Sequence, residues 1–277
     1  MCRFCVEHGE GERWYLNAQN YAHDLNSDLR RRDYVVGFIG GFGETRSSAL
    51  RWVDRLDRLP APLSRVGREL VSRRMQAKHF GQPVPIEECA RIFDLSTSIT
   101  LIPCVCRMHT PGQRADEVCI LVTTQPVDAV LEEGFRDYQN GPDARDFQRL
   151  TKPQAMDLLA QCERDGLMHS AWTFLTPFTA AICNCNLESG CMAMQMSIAR
   201  DVKVMWRGEW VATLDDERCT RCGACVRRCP FDAIVANGQA SVDPAKCWGC
   251  GICRSACRVD ALALVDRREV PAVADLW

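Results

Sequence analysis

The sequence predicts an α+β chain in three parts, and three observations predict it. Residues 1–82 carry long, charged, helix-like runs broken by Pro60-Ala-Pro62; residues 83–205 alternate short strand-like and helix-like runs; residues 206–277 hold a cysteine unit that occurs twice. With 277 residues and 47% hydrophobic content, the chain can bury an ordinary core. Lys+Arg 34 against Asp+Glu 36 leave a net charge of −2, so no global basic field exists to hold nucleic acid. The run Arg30, Arg31, Arg32 is read as a solvated helix end.

In the N-terminal region, helices are expected over Tyr15 to Arg31, Ser47 to Leu59 and Arg65 to His79. Arg51, Asp54, Arg55, Asp57 and Arg58 form either a solvated face or a docking surface for a redox partner. The apolar stretch Val35 to Phe42 is broken by Gly37, Gly40 and Gly41 and falls well short of the ~20 residues a bilayer span takes. The first residues show neither an apolar signal-peptide core nor a twin-arginine pair, so a cytoplasmic location is expected. Eighteen cysteines with C-x2-C spacings in that reducing compartment point to metal rather than to disulfides. Thiolates are soft ligands that select iron-sulfur clusters, zinc or copper(I). The first such string is Cys2-x2-Cys5-x2-His8, a three-ligand set that a further cysteine would complete.

The middle region reads as a small winged-helix-like domain. Ile86 to Leu95 follows Pro83 and Pro85 as a short helix, and Thr151-Lys-Pro-Gln154 is a capping box that starts another, stopped at Gly166. Ile99 to Val105, Val118 to Thr123 and Leu167 to Leu175 read as strands. Six cysteines fall here: Cys104, Cys106, Cys119, Cys183, Cys185 and Cys191. A C-x-C pair on a strand points both thiols to one face, so the two pairs suggest a shared site. A third [4Fe-4S] cluster, zinc, and buried or redox-sensing thiols are the alternatives. Four ligands suffice; Cys106, Cys119, Cys185 and Cys191 are favoured, with Cys104 and Cys183 as bystanders. Arg107 is either a counter-charge to a cluster or an ordinary ion-pair arginine, and His109 and His169 are read as structural. Cys89 and Cys162, on helix-like segments, are read as small apolar core residues.

The C-terminal unit is the most specific signal. Cys219, Cys222, Cys225 and Cys229 recur 28 residues later as Cys247, Cys250, Cys253 and Cys257, each set reading C-x2-C-x2-C-x3-C. Three cysteines at that interval wrap three irons of a cubane, and the fourth serves the other copy's cluster. Cluster I is therefore assigned to Cys219, Cys222, Cys225 and Cys257, and cluster II to Cys247, Cys250, Cys253 and Cys229. Gly223 and Gly251 fit positive φ beside a cluster. A zinc-ribbon pair would have no use for the third cysteine at the same interval or for the Cys229-Pro230 step. Glu209 to Leu214 and Ala261 to Val265 are expected as flanking strands, with Ala233 to Val242 a hairpin turning at Asn237-Gly238.

From Asp215 to Asp266 the chain resembles bacterial-type 2[4Fe-4S] dicluster ferredoxins. It departs from them at Arg258, where many carry a second proline; a positive charge after a cluster I ligand is expected to raise that cluster's potential. The strings Gly81-Gln-Pro-Val-Pro85, Ile102-Pro-Cys-Val-Cys-Arg107, Gly166-Leu-Met-His169, Thr176-Pro-Phe178 and Ile182-Cys-Asn-Cys185 extend the likeness. Together with the N-terminal Cys2-x2-Cys5-x2-His8-Gly9-Glu10-Gly11, they resemble a prokaryotic family in which a cysteine-bearing, winged-helix-like region precedes a dicluster ferredoxin domain. Some of its members carry more cysteines around the second C-N-C string than the single Cys191 here.

No Walker loop, nucleophile elbow or C-x3-C-x2-C triplet is present, and Gly41-Phe-Gly43 meets Arg46 where a dinucleotide fingerprint needs its third glycine. Intrinsic catalysis is not expected. The expected function is one-electron transfer through two or three [4Fe-4S] clusters to or from a partner oxidoreductase, as a subunit of a redox complex. The alternative is a redox-sensing regulatory protein that uses the winged-helix-like domain.

Overall fold

In a computed structural model, residues 2–22, 28–113, 117–124, 128–135, 147–237 and 239–276 are described. Helix α1 (Arg3–His8) opens the chain, with Cys2 as its N-cap. The helix expected over Tyr15 to Arg31 opens instead as a pair of 3-10 turns, Trp14–Leu16 and Ala18–Tyr21, and its residues 23–27 lie outside the described ones. Asparagine explains the difference: Asn17 Nδ2 donates to the His8 carbonyl at 3.0 Å and Asn20 Nδ2 to the Trp14 carbonyl at 2.7 Å. Such side-chain bonds compete with helix. Leu29–Gly40 forms α2, whose N-cap Asp28 accepts from the Arg30 amide at 2.9 Å. The apolar stretch from Val35 thus lies within α2 and enters α3 (Phe42–Asp57). After Pro60 comes α4 (Ala61–Lys78), which packs on α3 and leaves Trp52, Leu63, Val66 and Leu70 exposed. Two acids of the expected solvated face, Asp54 and Asp57, pair with Arg200 at 2.7 and 2.9 Å.

The middle region is built on a six-stranded sheet, ordered β1 (Gly81–Pro83), β5 (Met168–Thr173), β6 (Thr179–Cys185), β3 (Glu117–Thr123), β2 (Ser98–Pro103) and β4 (Gln148–Arg149). Neighbouring strands are antiparallel. The two expected helices are present as α5 (Ile86–Leu95) and α8 (Lys152–Arg164), the latter with its capping box complete. They pack on one face, where Cys89, Ile92 and Leu159 meet Ile120, Val122 and Ile182. Alternate residues of β3, Cys119 and Leu121, face the opposite core with Ile39 of α2 and with Leu131 and Phe135 at α7 (Asp128–Gly134). The sheet is therefore covered on both faces, whereas a winged helix carries a small wing. The two edge strands that enlarge it have three and two residues, too short for an alternating pattern to register. Phe4, Trp14, Tyr15 and Phe80 from residues 1–82 share the core of α5 and α8.

Beyond the sheet, α6 (Val105–Met108) follows β2, and Cys191 caps α9 (Met192–Met194), which continues as a π-helical turn to Ala199. In the C-terminal part, β7 (Trp210–Leu214) pairs antiparallel with β10 (Leu262–Asp266), and β8 (Ile234–Asn237) with β9 (Gln239–Val242). Gly238 of the expected turn lies outside the described residues. Helices α10 (Ala224–Arg228) and α11 (Ile252–Ser255) start from left-handed Gly223 and Gly251. Arg254 of α11 grips Glu87 of α5 with two bonds of 2.7 and 2.8 Å. Among the described residues, no helix is long and apolar enough to cross a membrane.

Candidate metal centres

The repeat folds as it reads. Positive φ occurs in related pairs 28 residues apart: Arg221 (59°) with Gly249 (69°), Gly223 (69°) with Gly251 (79°), and Asp232 (51°) with Asp260 (48°). Backbone amides turn toward sulfur in the same relation, Ala233 on Cys229 Sγ at 3.4 Å and Ala261 on Cys257 Sγ at 3.3 Å. Further amides, of Arg221 and Ala212, reach Cys219 Sγ and Cys247 Sγ, both at 3.4 Å. Cys219, Cys222, Cys225 and Cys257 line one hollow with Leu214 and Leu262. Cys229, Cys247, Cys250 and Cys253 line a second with Phe231, Trp248 and Ile252. The fourth cysteine of each copy thus stands with the first three of the other.

Within these quartets the thiols feel one another's charge, and no thiol–thiol hydrogen bond joins them among the described residues. Each quartet frames a space, which fits a compact cluster between its sulfurs. The two spaces differ in exposure: Cys222 is exposed, while Cys250 and Cys253 are 8% and 6% exposed. Burial pushes the Cys253 thiol up to about 12. The Ala224 amide and Thr220 hydroxyl pull that of Cys222 down. A buried thiol so reluctant to ionise becomes a thiolate when a cation takes the proton's place.

The six middle cysteines come together, but not by the expected route. β2 ends at Pro103, so Cys104 caps α6 and Cys106 lies within it, while only Cys183 and Cys185 share a strand. The six thiols act on one another's ionisation in a row, Cys183 with Cys119, Cys119 with Cys104, Cys104 with Cys106, Cys106 with Cys191, and Cys191 with Cys185. Cys104 and Cys183, read from sequence as bystanders, are members of this row. Bonds to Cys106 and Cys119 hold the Cys104 thiol well below its ordinary range, assisted by the Arg107 amide and charge. His169 stands apart from the thiols, its Nδ1 2.6 Å from Asn184 Oδ1. His109 packs on the Phe42 ring at 5.7 Å. Cys89 and Cys162 are buried in α5 and α8. Cys104, Cys119, Cys185 and Cys191 share one core with Phe231, Cys250 and Ile252, so the second hollow borders the region of the six thiols.

The N-terminal pair finds a partner that the sequence did not suggest. Cys2 Sγ lies 3.2 Å from Cys5 Sγ, and Cys5 Sγ lies 3.4 Å from Glu209 Oε1. The ring of His8, expected as the third ligand, packs instead on Phe4 one helical turn away, at 4.6 Å. Glu209 is a single acid just before β7, 204 residues from Cys5, and nothing in its local sequence marks it.

No curated protein matches the chain. Two successive stretches, residues 212–235 and 240–263, match the family model described as a 4Fe-4S binding domain, and the C-terminal part of this chain is a ferredoxin-like iron-sulfur region with an electron-transfer role.

Proposed function

We propose that the chain carries single electrons through two [4Fe-4S] clusters to or from a partner oxidoreductase, as a subunit of a redox complex. Cys219, Cys222, Cys225 and Cys257 would hold cluster I, and Cys229, Cys247, Cys250 and Cys253 cluster II. A bound [4Fe-4S] cluster supplies one-electron exchange and needs no substrate pocket. The observation that carries the reading is the ordering of the two hollows: one reaches the surface at exposed Cys222, and the other borders the core that contains the middle thiols. The amides of Ala212, Ala233 and Ala261 donate to sulfur and so favour the more negative, reduced state. Phe231 and Trp248, stacked at 4.9 Å, shield the second hollow from water. The partner docks at the Cys222 edge, where tunnelling distance is shortest.

The six middle thiols are a third station or a zinc site. Because they couple as neighbours in a row, any four of them include at least one neighbouring pair. A third cubane built like the other two would have to part that pair, whereas zinc, with bonds of about 2.3 Å to sulfur, keeps thiolates close. The regulatory alternative gains no support from a sheet covered on both faces.

Anaerobic iron, acid-labile sulfide and zinc per chain test the reading, followed by reductive titration with electron paramagnetic resonance. Eight irons with two interacting paramagnets on reduction are expected. Twelve irons would add the third station. Zinc in place of iron at the C-terminal quartets would end the electron-transfer proposal.

A further inference from the structure

We propose that Cys2, Cys5 and Glu209 form a separate site for one divalent cation of borderline softness, zinc by its chemistry, which pins the N-terminus to the approach to β7. Cys2, Cys5 and Glu209 are 1%, 0% and 1% exposed, and their ligand atoms all lie within 4.8 Å of one another. The site is built on regular structure. Cys2 caps α1 and accepts the Cys5 amide at 3.3 Å, which fixes both sulfurs on the first turn. Behind the carboxylate, buried Arg267 holds Glu209 Oε2 at 3.3 Å and is itself held by the Leu276 carbonyl at 2.8 Å. Gln82 reaches Glu209 Oε1 at 3.3 Å, and Trp14 Nε1 fixes Gln82 by donating to its Oε1 at 2.7 Å. Outer partners of this kind orient metal ligands and tune their basicity.

Charge selects the cation. Glu209 and Arg267 cancel, so loss of a proton from each thiol leaves two negative charges in a sealed space, which one divalent ion neutralises. Binding therefore follows a balanced exchange: M²⁺ plus two thiols gives two metal–thiolate bonds and two protons released. Copper(I) would leave a net negative charge and has little use for a carboxylate. Magnesium and calcium want six or more oxygens and refuse sulfur. Zinc accepts two thiolates and one carboxylate oxygen, with a fourth position for water or the second carboxylate oxygen. Two sulfurs 3.2 Å apart leave no room for the cubane that the C-terminal quartets frame.

The test is zinc content and zinc X-ray absorption on the full chain, purified anaerobically, loaded with zinc sulfate and desalted. The wild type is expected to hold one zinc more than Cys5→Ser at equal iron. The difference spectrum should show two sulfurs near 2.3 Å and oxygen near 2.0 Å, at about those distances. Glu209→Gln, which keeps volume, should weaken zinc about tenfold or more without loss of iron. Equal zinc in wild type and Cys5→Ser would overturn the proposal and leave the thiols as hydrogen-bond donors to Glu209. Should Cys5→Ser lose its iron and so its fold, the wild-type spectrum decides alone: a shell of sulfur only, or no zinc, overturns the site. A Cys2–Cys5 disulfide in the anaerobic protein, read as a two-dalton deficit, would also overturn it.

Discussion

Gly249 and Arg221 occupy the same place in the two cysteine loops, both at positive φ, yet only one is glycine. A Cβ on Gly249 would stand 2.1 Å from the Trp210 carbonyl oxygen, whereas the Arg221 loop faces solvent. Gly223 has the same φ as Gly249, but its Cβ would meet nothing closer than Arg227 Nη1 at 3.6 Å. Gly249→Ala is therefore expected to strip iron from the second quartet, seen as half the wild-type iron. Gly223→Ala should cost about 1 kcal/mol of backbone strain and keep its iron. The crossing of the quartets has its own check. Cys257→Ala combined with Cys222→Ala should lose no more iron than either alone, because both line one hollow, whereas Cys222→Ala with Cys253→Ala should lose all the C-terminal iron.

At the level of elements, local chemistry was legible where it closed within a few residues. Thr151 and Gln154 bond reciprocally as their spacing requires, and Thr151→Ala should lower stability by about 1 kcal/mol in chemical denaturation. Helix α5 spans Ile86–Leu95, the residues expected to form a short helix after Pro83 and Pro85. The C-x-C argument held for Cys183 and Cys185 on β6 and failed for Cys104 and Cys106, because the strand ends at Pro103, ahead of both, in favour of a helical turn. His169 on β5 shows a property no local pattern reveals. Burial drives its imidazole down to about 4, against the hydrogen bond that its Nδ1 donates to Asn184 Oδ1, which opposes the shift. The folded pKa lies below the unfolded value of about 6.5, so the unfolded chain binds more protons between the two. Stability should thus fall as pH drops through that window, by up to about 1.4 kcal/mol per pH unit from this group. Denaturation midpoints at pH 7, 6 and 5 should fall more steeply for wild type than for His169→Gln.

On the scale of the whole molecule, the sequence reading separated parts that the fold joins. The three regions drawn from composition share cores: Phe4 and Trp14 pack with α5, and Phe231, Cys250 and Ile252 pack with the middle thiols. Contacts of this range, like Glu209 with Cys5 and Arg254 with Glu87, leave no mark on either partner's neighbours in sequence. Residues 206–277 expressed alone should keep iron in the first quartet. They should lose it from the second several times faster than the full chain when challenged with a chelator, measured by the decay of visible absorbance. A fragment as resistant as the full chain would show that the shared core does not protect that site.

Exposure of Cys222 has a cost that runs opposite to its proposed use. An edge open enough for an electron partner is also open to dioxygen, peroxide and small chelators, while Cys250 and Cys253 meet them only through the packed interior. In air the molecule would age directionally, the outer site decaying first and cutting the inner one off from its partner while its own cysteines are still intact. In the proposed relay, one rim of the protein would thus set its working life in air, and a docked partner that covers this rim would act as its antioxidant.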